Sequence, residues 1–309
     1  MSPILVIANP YANRGRMRRR LGQIERALAA AGAPYEVQET QHPGHAIALA
    51  QMAGMAGYAT IAVAGGDGTV SEVVNGLMAV DSSTAPPALA IFPAGTGNDF
   101  AAAAGFGLKD EQIAARIVGG NRRAIDVGRV ILRLEGAART HYFNNSLGIG
   151  LEAATVMQAA RIQRLNGVML YAVAAVRTLL HFAPIEMHIQ CEQHDGQTQS
   201  LSGPMIMLTV GNSRRTGGGF HLTPDAELDD GLLDMGVATA IPKWRLLALL
   251  PKALLGKHTG DPAFSLWRCR QIHIACADGV PVHADGELLA VAAQEIAIEV
   301  LPGRLQIVG

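Results

Sequence analysis

The feature that most constrains this chain is a set of short, continuously apolar runs alternating with helix-spaced segments over the first third of its 309 residues. ILVIAN (4–9) breaks at Pro10, and Met17, Leu21, Ile24 and Leu28 then recur at helical spacing up to Gly32. YEVQET (35–40) reads as a second strand and HPGHAIALAQMA opens a second helix. TIAVAGG (60–66) is a third strand, SEVVNGLM (71–78) a third helix and PALAIFPAG (87–95) a fourth strand. A strand apolar on both sides must be covered on both sides, and the intervening helices supply that cover. The expectation is a parallel α/β domain.

After Asp126 the texture changes. RVILRL, RTHYFNNSL, IEMHIQCEQ, MIMLTVGN, QIHIACA and QEIAIEVL are strand-like, several with period-two alternation, and helical stretches over 152–182 and 242–256 interrupt them. This predicts an α/β domain over 1–127 and a mainly antiparallel β domain over 128–301, with 302–309 able to return to the first.

Composition narrows the function. The chain is 49% hydrophobic and 17% charged, below the roughly 25% charged residues of an average domain, which excludes a disordered chain. A formal charge of −1 gives no global basic field, so no nucleic-acid partner is expected. Cys191, Cys269 and Cys276 form no CxxC pair, and an odd count predicts no disulfide framework and a reducing, cytoplasmic setting. The uncharged stretch 40–66 is interrupted by Gln51, Gly54, Gly57, Tyr58 and Thr60, so it reads as helix plus strand rather than a membrane span.

The sharpest local signal is Gly65-Gly66-Asp67-Gly68-Thr69, between a buried strand and a helix. Loops at the carboxyl edge of a parallel sheet are where such folds bind ligands. Glycine lets the backbone approach a phosphate, and the unpaired N–H groups of the next helix favour an anion. Pro93-Ala94-Gly95-Thr96-Gly97-Asn98-Asp99-Phe100 repeats this arrangement after the fourth strand, and two such loops would form one phosphate-binding edge. No GxxxxGK[ST] occurs, which excludes a P-loop NTPase. Gly148-Ile149-Gly150-Leu151-Glu152-Ala153 imitates a dinucleotide fingerprint, but no acid follows about twenty residues on, so it reads as a strand-ending turn before a helix.

With GGDGT (65–69), PAGTGNDFA (93–101), IDVGRV (125–130), FNNSLGIGLEA (143–153), GNSRRTGGGFHLTPDAELDDGLLD (211–234) and DGE (285–287) in this order, the chain resembles the diacylglycerol kinase catalytic family over nearly its whole length. The resemblance implies a phosphofructokinase-like α/β domain, a C-terminal antiparallel β-sandwich and an active site in the cleft between them. It also implies a lipid kinase using ATP and Mg²⁺, with diacylglycerol the expected acceptor, and a sphingosine or long-chain-alcohol kinase or a non-catalytic nucleotide- or lipid-binding regulator as alternatives. An NAD kinase shares GGDGT but is disfavoured by DDGLLD and the late DGE.

Site residues follow from the same resemblance. Asn9, Thr40, Gly65, Gly66, Asp67, Gly68, Thr69, Thr96 and Asn98 would line the nucleotide. Many members read NPxSG, whereas Ala12 here lacks the hydroxyl. Glu287 and Asp285 flank Gly286, and in an extended segment they would share one face. One of them is the expected general base, with Glu287 favoured and Asp285 orienting or binding metal. Glu227, Asp230 and Leu232 are the expected Mg²⁺ positions, supported by Asp99 and Asp126. A homodimer is admitted.

Segment 242–257, PKWRLLALLPKALLGK, sets basic residues beside Trp244 and six leucines, suiting peripheral contact with anionic lipid, although Pro251 should break or kink a helix there. Arg14, Arg16, Arg18, Arg19 and Arg20 form a second cationic run, expected as a solvated helix face.

Overall fold

The computed structural model describes residues 3–13, 15–80, 86–134, 137–162, 164–165 and 167–309; Arg14 lies outside them. The chain divides into two compact units, 1–125 with 303–309, and 126–302.

In the first unit β1 (Ile4–Ala8), α1 (Met17–Ala30), β2 (Tyr35–Glu39), α2 (His45–Met55), β3 (Thr60–Gly65), α3 (Asp67–Met78) and β4 (Ala88–Pro93) alternate, followed by α4 (Asp99–Ala103) and α5 (Asp110–Gly119). The strands pair in parallel in the order β4-β3-β1-β2. All residues of β1 and β3 are buried, which is why those strands carry no polar alternation. Each fully buried Leu, Ile or Val, such as Leu5, Ile7, Ile61 and Val63, contributes roughly 1.5–3 kcal/mol.

Helix packing is equally specific. Glu72 of α3 accepts from Gly44 N at 3.0 Å and Ala46 N at 3.1 Å, capping the start of α2. A Cβ at Gly76 would stand 2.4 Å from Ile47 O, so α2 and α3 approach to a distance only glycine permits. Within the arginine run, Arg18 and Arg19 are exposed, whereas Arg20 donates to Pro93 O and pairs with Asp110 at 2.8 Å, tying α1 to the end of β4 and to α5.

The second unit contains β5 (Arg122–Leu134, its first residues in the first unit), β6 (Ala137–Phe143), β7 (Ser146–Gly150), α6 (Leu151–Ala159), α7 (Gly167–His181), β8 (Ile185–Gln193), β9 (Thr198–Gly211), β10 (Leu233–Thr239), α8 (Lys243–Leu254), β11 (Phe264–Ala284) and β12 (Glu287–Val308). Its pairings are antiparallel: β10–β9, β9–β7, β7–β11, β11–β12, β8–β9 and β8–β11. Residues 303–308 of β12 belong to the first unit, where Ile307 pairs in parallel with Leu89 of β4.

One face of these strands forms an apolar core around Leu147, Ile149, Leu208, Val210, Met235 and Val282. The other carries a smaller core of Leu151, Leu179, Ile206 and Leu246 under the helices. Gly150 (φ 75°) ends β7 and admits the turn into α6, so GIGLEA is the strand-to-helix turn that its missing acid suggested.

Three expectations are corrected. Cys191 and Cys269 form a disulfide between β8 and β11, leaving Cys276 free and buried. The partners are 78 residues apart, so only strand pairing reveals them. The helical stretch at 152–182 is two helices. Pro251 lies inside α8 and does not break it, the helix running on to Leu254. Among the described residues, no helix is long and apolar enough to cross a membrane.

Candidate active site

In the first unit the expected nucleotide residues gather at the carboxyl ends of the parallel strands. Asn9 follows β1, and its Nδ2 donates to Thr69 Oγ1 at 3.1 Å. Thr40 follows β2, buried, with its N–H on Ala8 O at 2.8 Å. Gly65 is covered by Thr69, whose Cβ would stand 2.7 Å from a Cβ on Gly65. The glycine loops after β3 and β4 cross: a Cβ on Gly95 would be 2.8 Å from Gly66 Cα, and one on Gly66 would be 3.0 Å from Gly95 Cα. Each glycine is therefore needed by the other. Gly68 faces open space, and Thr96 is exposed, so the crossed loops leave backbone and a hydroxyl accessible to a phosphate.

Two residues hold this edge rather than present it. Asn98, at φ 54°, accepts from Gly95 N at 2.7 Å and donates to Gly95 O at 3.0 Å. Its whole side-chain amide closes the loop. Asp67 turns toward the start of α4, where Phe100 N donates to it at 3.4 Å. Burial pushes the Asp67 carboxyl above its usual range, while the N–H groups of Asp99, Phe100 and Asn98 pull it back. Asp67 thus ties one glycine loop to the other. Asp99 is buried beside it.

In the second unit, Asp285 (φ 48°) and Gly286 (φ 86°) form a two-residue turn between Ala284 and Glu287. The two acids therefore do not share an extended face as expected. Asp285 Oδ1 accepts from Asn145 N (3.0 Å) and Ser146 N (2.9 Å), and Oδ2 accepts from Asn144 N (3.0 Å). Its own N–H returns to Ser146 O at 2.8 Å. Asp285 is a buckle between two chain segments, whereas Glu287 is 54% exposed at its side chain with Arg139 at 4.0 Å. Of the two, Glu287 has the more loosely held carboxylate.

The sequence alone assigns no task to the FNNS and GNS segments. Asn212 Nδ2 donates to Asp126 O and Asn144 O (2.9 and 3.0 Å), Ser213 Oγ bonds Asn145 Oδ1, and Ser146 Oγ meets Thr216 Oγ1 at 2.8 Å. Asp126, also buried, accepts from Gly231 N at 2.7 Å. These side chains brace the backbone that grips Asp285. The clue available in the sequence was the clustering of small amides and hydroxyls in otherwise apolar strands. The buried pair His283–Glu152, 3.4 Å apart, had no such clue; Gly148 makes room for it, since a Cβ there would lie 2.3 Å from the imidazole.

The expected metal positions are otherwise engaged. Asp230 Oδ1 accepts from Leu232 N at 3.0 Å, and Oδ2 pairs with Arg268. Glu227 lies 3.6 Å from Arg214. Among the described residues, no three His, Cys, Asp or Glu side chains are grouped to hold a metal. In this structure Asp230 thus meets a guanidinium and a backbone N–H, and Glu227 lies beside a guanidinium. Nearby Asp234 is buried, and desolvation, reinforced by Asp225 and Glu227, pushes its carboxyl up to about 6 despite Arg214.

Known proteins resemble both units. Residues 3–130 match the diacylglycerol kinase catalytic domain, and 145–309 match the YegS C-terminal NAD kinase beta sandwich-like domain. A diacylglycerol kinase of Bacillus subtilis (strain 168) is 28% identical over 91% of this chain and 88% of its own. A probable lipid kinase YegS-like protein of Pseudomonas aeruginosa PAO1 is 30% identical over 92% and 89%. A solved Bacillus anthracis structure assigned as a diacylglycerol kinase superposes with TM-score 0.80 at 26% identity, covering 99% of this chain and 97% of that one. Yeast NADH kinase shares the fold at TM-score 0.54 and 10% identity, covering 99% and 82%. The chain belongs to the diacylglycerol kinase catalytic family. It is a lipid kinase, built from a parallel α/β domain and an antiparallel β domain.

Proposed function

We propose that the protein transfers the γ-phosphoryl group of ATP to the free hydroxyl of diacylglycerol, giving phosphatidic acid. The observation that carries this reading is the crossing of the two glycine loops at Gly66 and Gly95, which presents backbone and the Thr96 hydroxyl at one sheet edge. Relatives named diacylglycerol kinase support the choice of acceptor.

Bound ATP supplies the phosphoryl group. The chain's part is positioning and charge placement, which dominate phosphoryl transfer. N–H groups at the start of α3 and around Thr96 orient the phosphates, with Asn9 holding the Thr69 hydroxyl. Thr40 closes the edge beside β1. Glu287 accepts the proton of the lipid hydroxyl as it attacks, and Asp285 fixes the turn that places Glu287.

The test is phosphorylation by ATP of a panel containing diacylglycerol, monoacylglycerol, sphingosine and NAD. Diacylglycerol should give the largest kcat/KM. Preference for sphingosine would overturn the acceptor, and binding of ATP and lipid without turnover would leave a regulator. In a folded Asp67→Ala protein, near-normal turnover would remove the glycine edge from the reaction.

A further inference from the structure

Two helices of the second unit carry more apolar surface outward than solvation favours. On α7, Met169, Val173, Val176 and Leu180 are spaced by four, three and four residues and so share one stripe. Met169 is 62%, Val176 37% and Leu180 54% exposed, while Ala174 and Leu179 on other sides of the helix are buried. In the neighbouring α8, Leu246, Leu249 and Ala253 are buried, yet Trp244 stands 72% exposed and Leu255, just past the helix, 66%. Lys243 Nζ donates to Leu180 O at 2.7 Å, joining the two stripes at that end. Five of the eight exposed large hydrophobic side chains among the described residues lie here, a concentration of the kind that marks an interaction surface.

Charge selects the partner. The two helices contain Arg177, His181, Lys243, Arg245 and Lys252 and no Asp or Glu, in a chain whose formal charge is −1. Lys257 follows α8, and Arg245 is matched by Asp261 at 2.8 Å. Across a two-fold interface with a second copy, these cations would meet cations. Exposed Trp and Leu ringed by cations instead suit the headgroup region of an anionic bilayer.

We propose that the α7–α8 face docks on an anionic phospholipid bilayer. The inference rests on the lipid kinase assignment and adds where the lipid arrives. On its inner side, α7 presents Tyr171 to the catalytic turn, its hydroxyl 3.9 Å from where a Cβ on Gly286 would stand. The first turn of α7 is seated on Gly218 and Gly219, where added Cβ atoms would lie 3.2 Å from Gly167 and 3.1 Å from Val168. One helix, about 10 Å across, therefore separates the apolar stripe from the turn that carries Glu287. A lipid headgroup leaving the bilayer has that width to cross.

The experiment is co-sedimentation with vesicles of phosphatidylcholine alone and with phosphatidylglycerol added. The protein should bind the anionic vesicles, leave the neutral ones in solution, and be released by high salt. Lys252→Gln and Lys257→Gln should each weaken binding roughly fivefold, and Val176→Glu with Leu180→Glu should abolish it. All should keep wild-type turnover on a short-chain, water-soluble diacylglycerol. If the glutamate pair lowers the melting temperature, Met169→Ser with Trp244→Ser carries the same test from two solvent-facing positions. Unchanged vesicle binding by these variants overturns the proposal, as does a solution dimer that Leu180→Glu splits while vesicle binding persists. Sedimentation needs no turnover, so vesicle binding without lipid phosphorylation would count against the proposed reaction and leave the docking face standing.

Discussion

Replacing Asp285 by Asn and Glu287 by Gln should separate a residue that builds the catalytic turn from one that acts in it. Asn tolerates the left-handed backbone that Asp285 adopts at φ 48°, so strain does not confuse the comparison. With its oxygen at the Oδ1 position, Asn keeps the bonds from Asn145 and Ser146, but its NH₂ then faces the Asn144 N–H, donor against donor. Asn144 is 1% exposed, so water cannot repair the loss. A charge-assisted hydrogen bond contributes about 1.5–3 kcal/mol, and a buried donor left unpaired costs a similar amount. Asp285→Asn should therefore cost about 3 kcal/mol. For a unit of this size that lowers Tm by roughly 6–12 °C. Glu287 is exposed and only loosely paired with Arg139, so Glu287→Gln should leave Tm nearly unchanged while kcat falls about 10²- to 10⁴-fold. Calorimetry on both variants, with lipid kinase kinetics at saturating ATP, reads both effects. An Asp285→Asn protein melting with the wild type would show that the three N–H groups do not hold the turn. A Glu287→Gln protein at full rate would place the base elsewhere.

The remaining predictions concern other parts of the chain. Gly95→Ala, whose methyl would lie 2.8 Å from Gly66 Cα and 2.9 Å from Asn98 Oδ1, should cost about 1–3 kcal/mol of packing and weaken ATP binding about tenfold or more by calorimetry; unchanged affinity would separate the crossed loops from the nucleotide. The unfolded protein should titrate one thiol without reductant and three with it, and reduction should lower stability by about 4 kcal/mol for the 78-residue separation of Cys191 and Cys269; three thiols at the outset would refute the pairing. Asp234, whose folded carboxyl is raised to about 6, holds its proton more tightly folded than unfolded. Its contribution is fully present below the ordinary carboxylate range and lost as pH rises through about 6. Asp234→Asn should thus exceed the wild type at pH 8 by about 2 kcal/mol after allowance for solvent screening, the gap closing toward pH 4; a gap independent of pH would refute the shift.

Much of the first unit was legible because β1, β3 and β4 are apolar on both faces and α1 repeats at helical spacing. The glycine loops were legible as positions, since a glycine pair at a strand end has few other uses. Their crossing was not, because Gly66 and Gly95 meet only through the pairing of β3 with β4. Asn98 shows the limit most clearly: the resemblance set it at the nucleotide, and what the sequence does not show is that its left-handed backbone folds its amide onto Gly95. In the second unit, the long-range pairings of β7, β9 and β11 bring Asn145, Asn212 and Asp285 together, and no local pattern encodes that. The Asp-Gly pair of the turn was readable as a hairpin signal. That its Asp side chain folds back on Asn144–Ser146 was not.

The return of residues 303–308 to the first unit also has a consequence for biosynthesis. Leu89 leaves the ribosome 218 residues before its partner Ile307, an interval of roughly 10–45 s at bacterial-like elongation rates of about 5–20 residues per second. Throughout that interval the edge of β4, whose sequence is ALAIFP, stays open while all of the second unit is made. An apolar, unpaired strand edge is a template for another nascent chain. Crowded polysomes at high expression should therefore be where this protein is most prone to aggregate, and slower initiation should recover more of it than slower elongation.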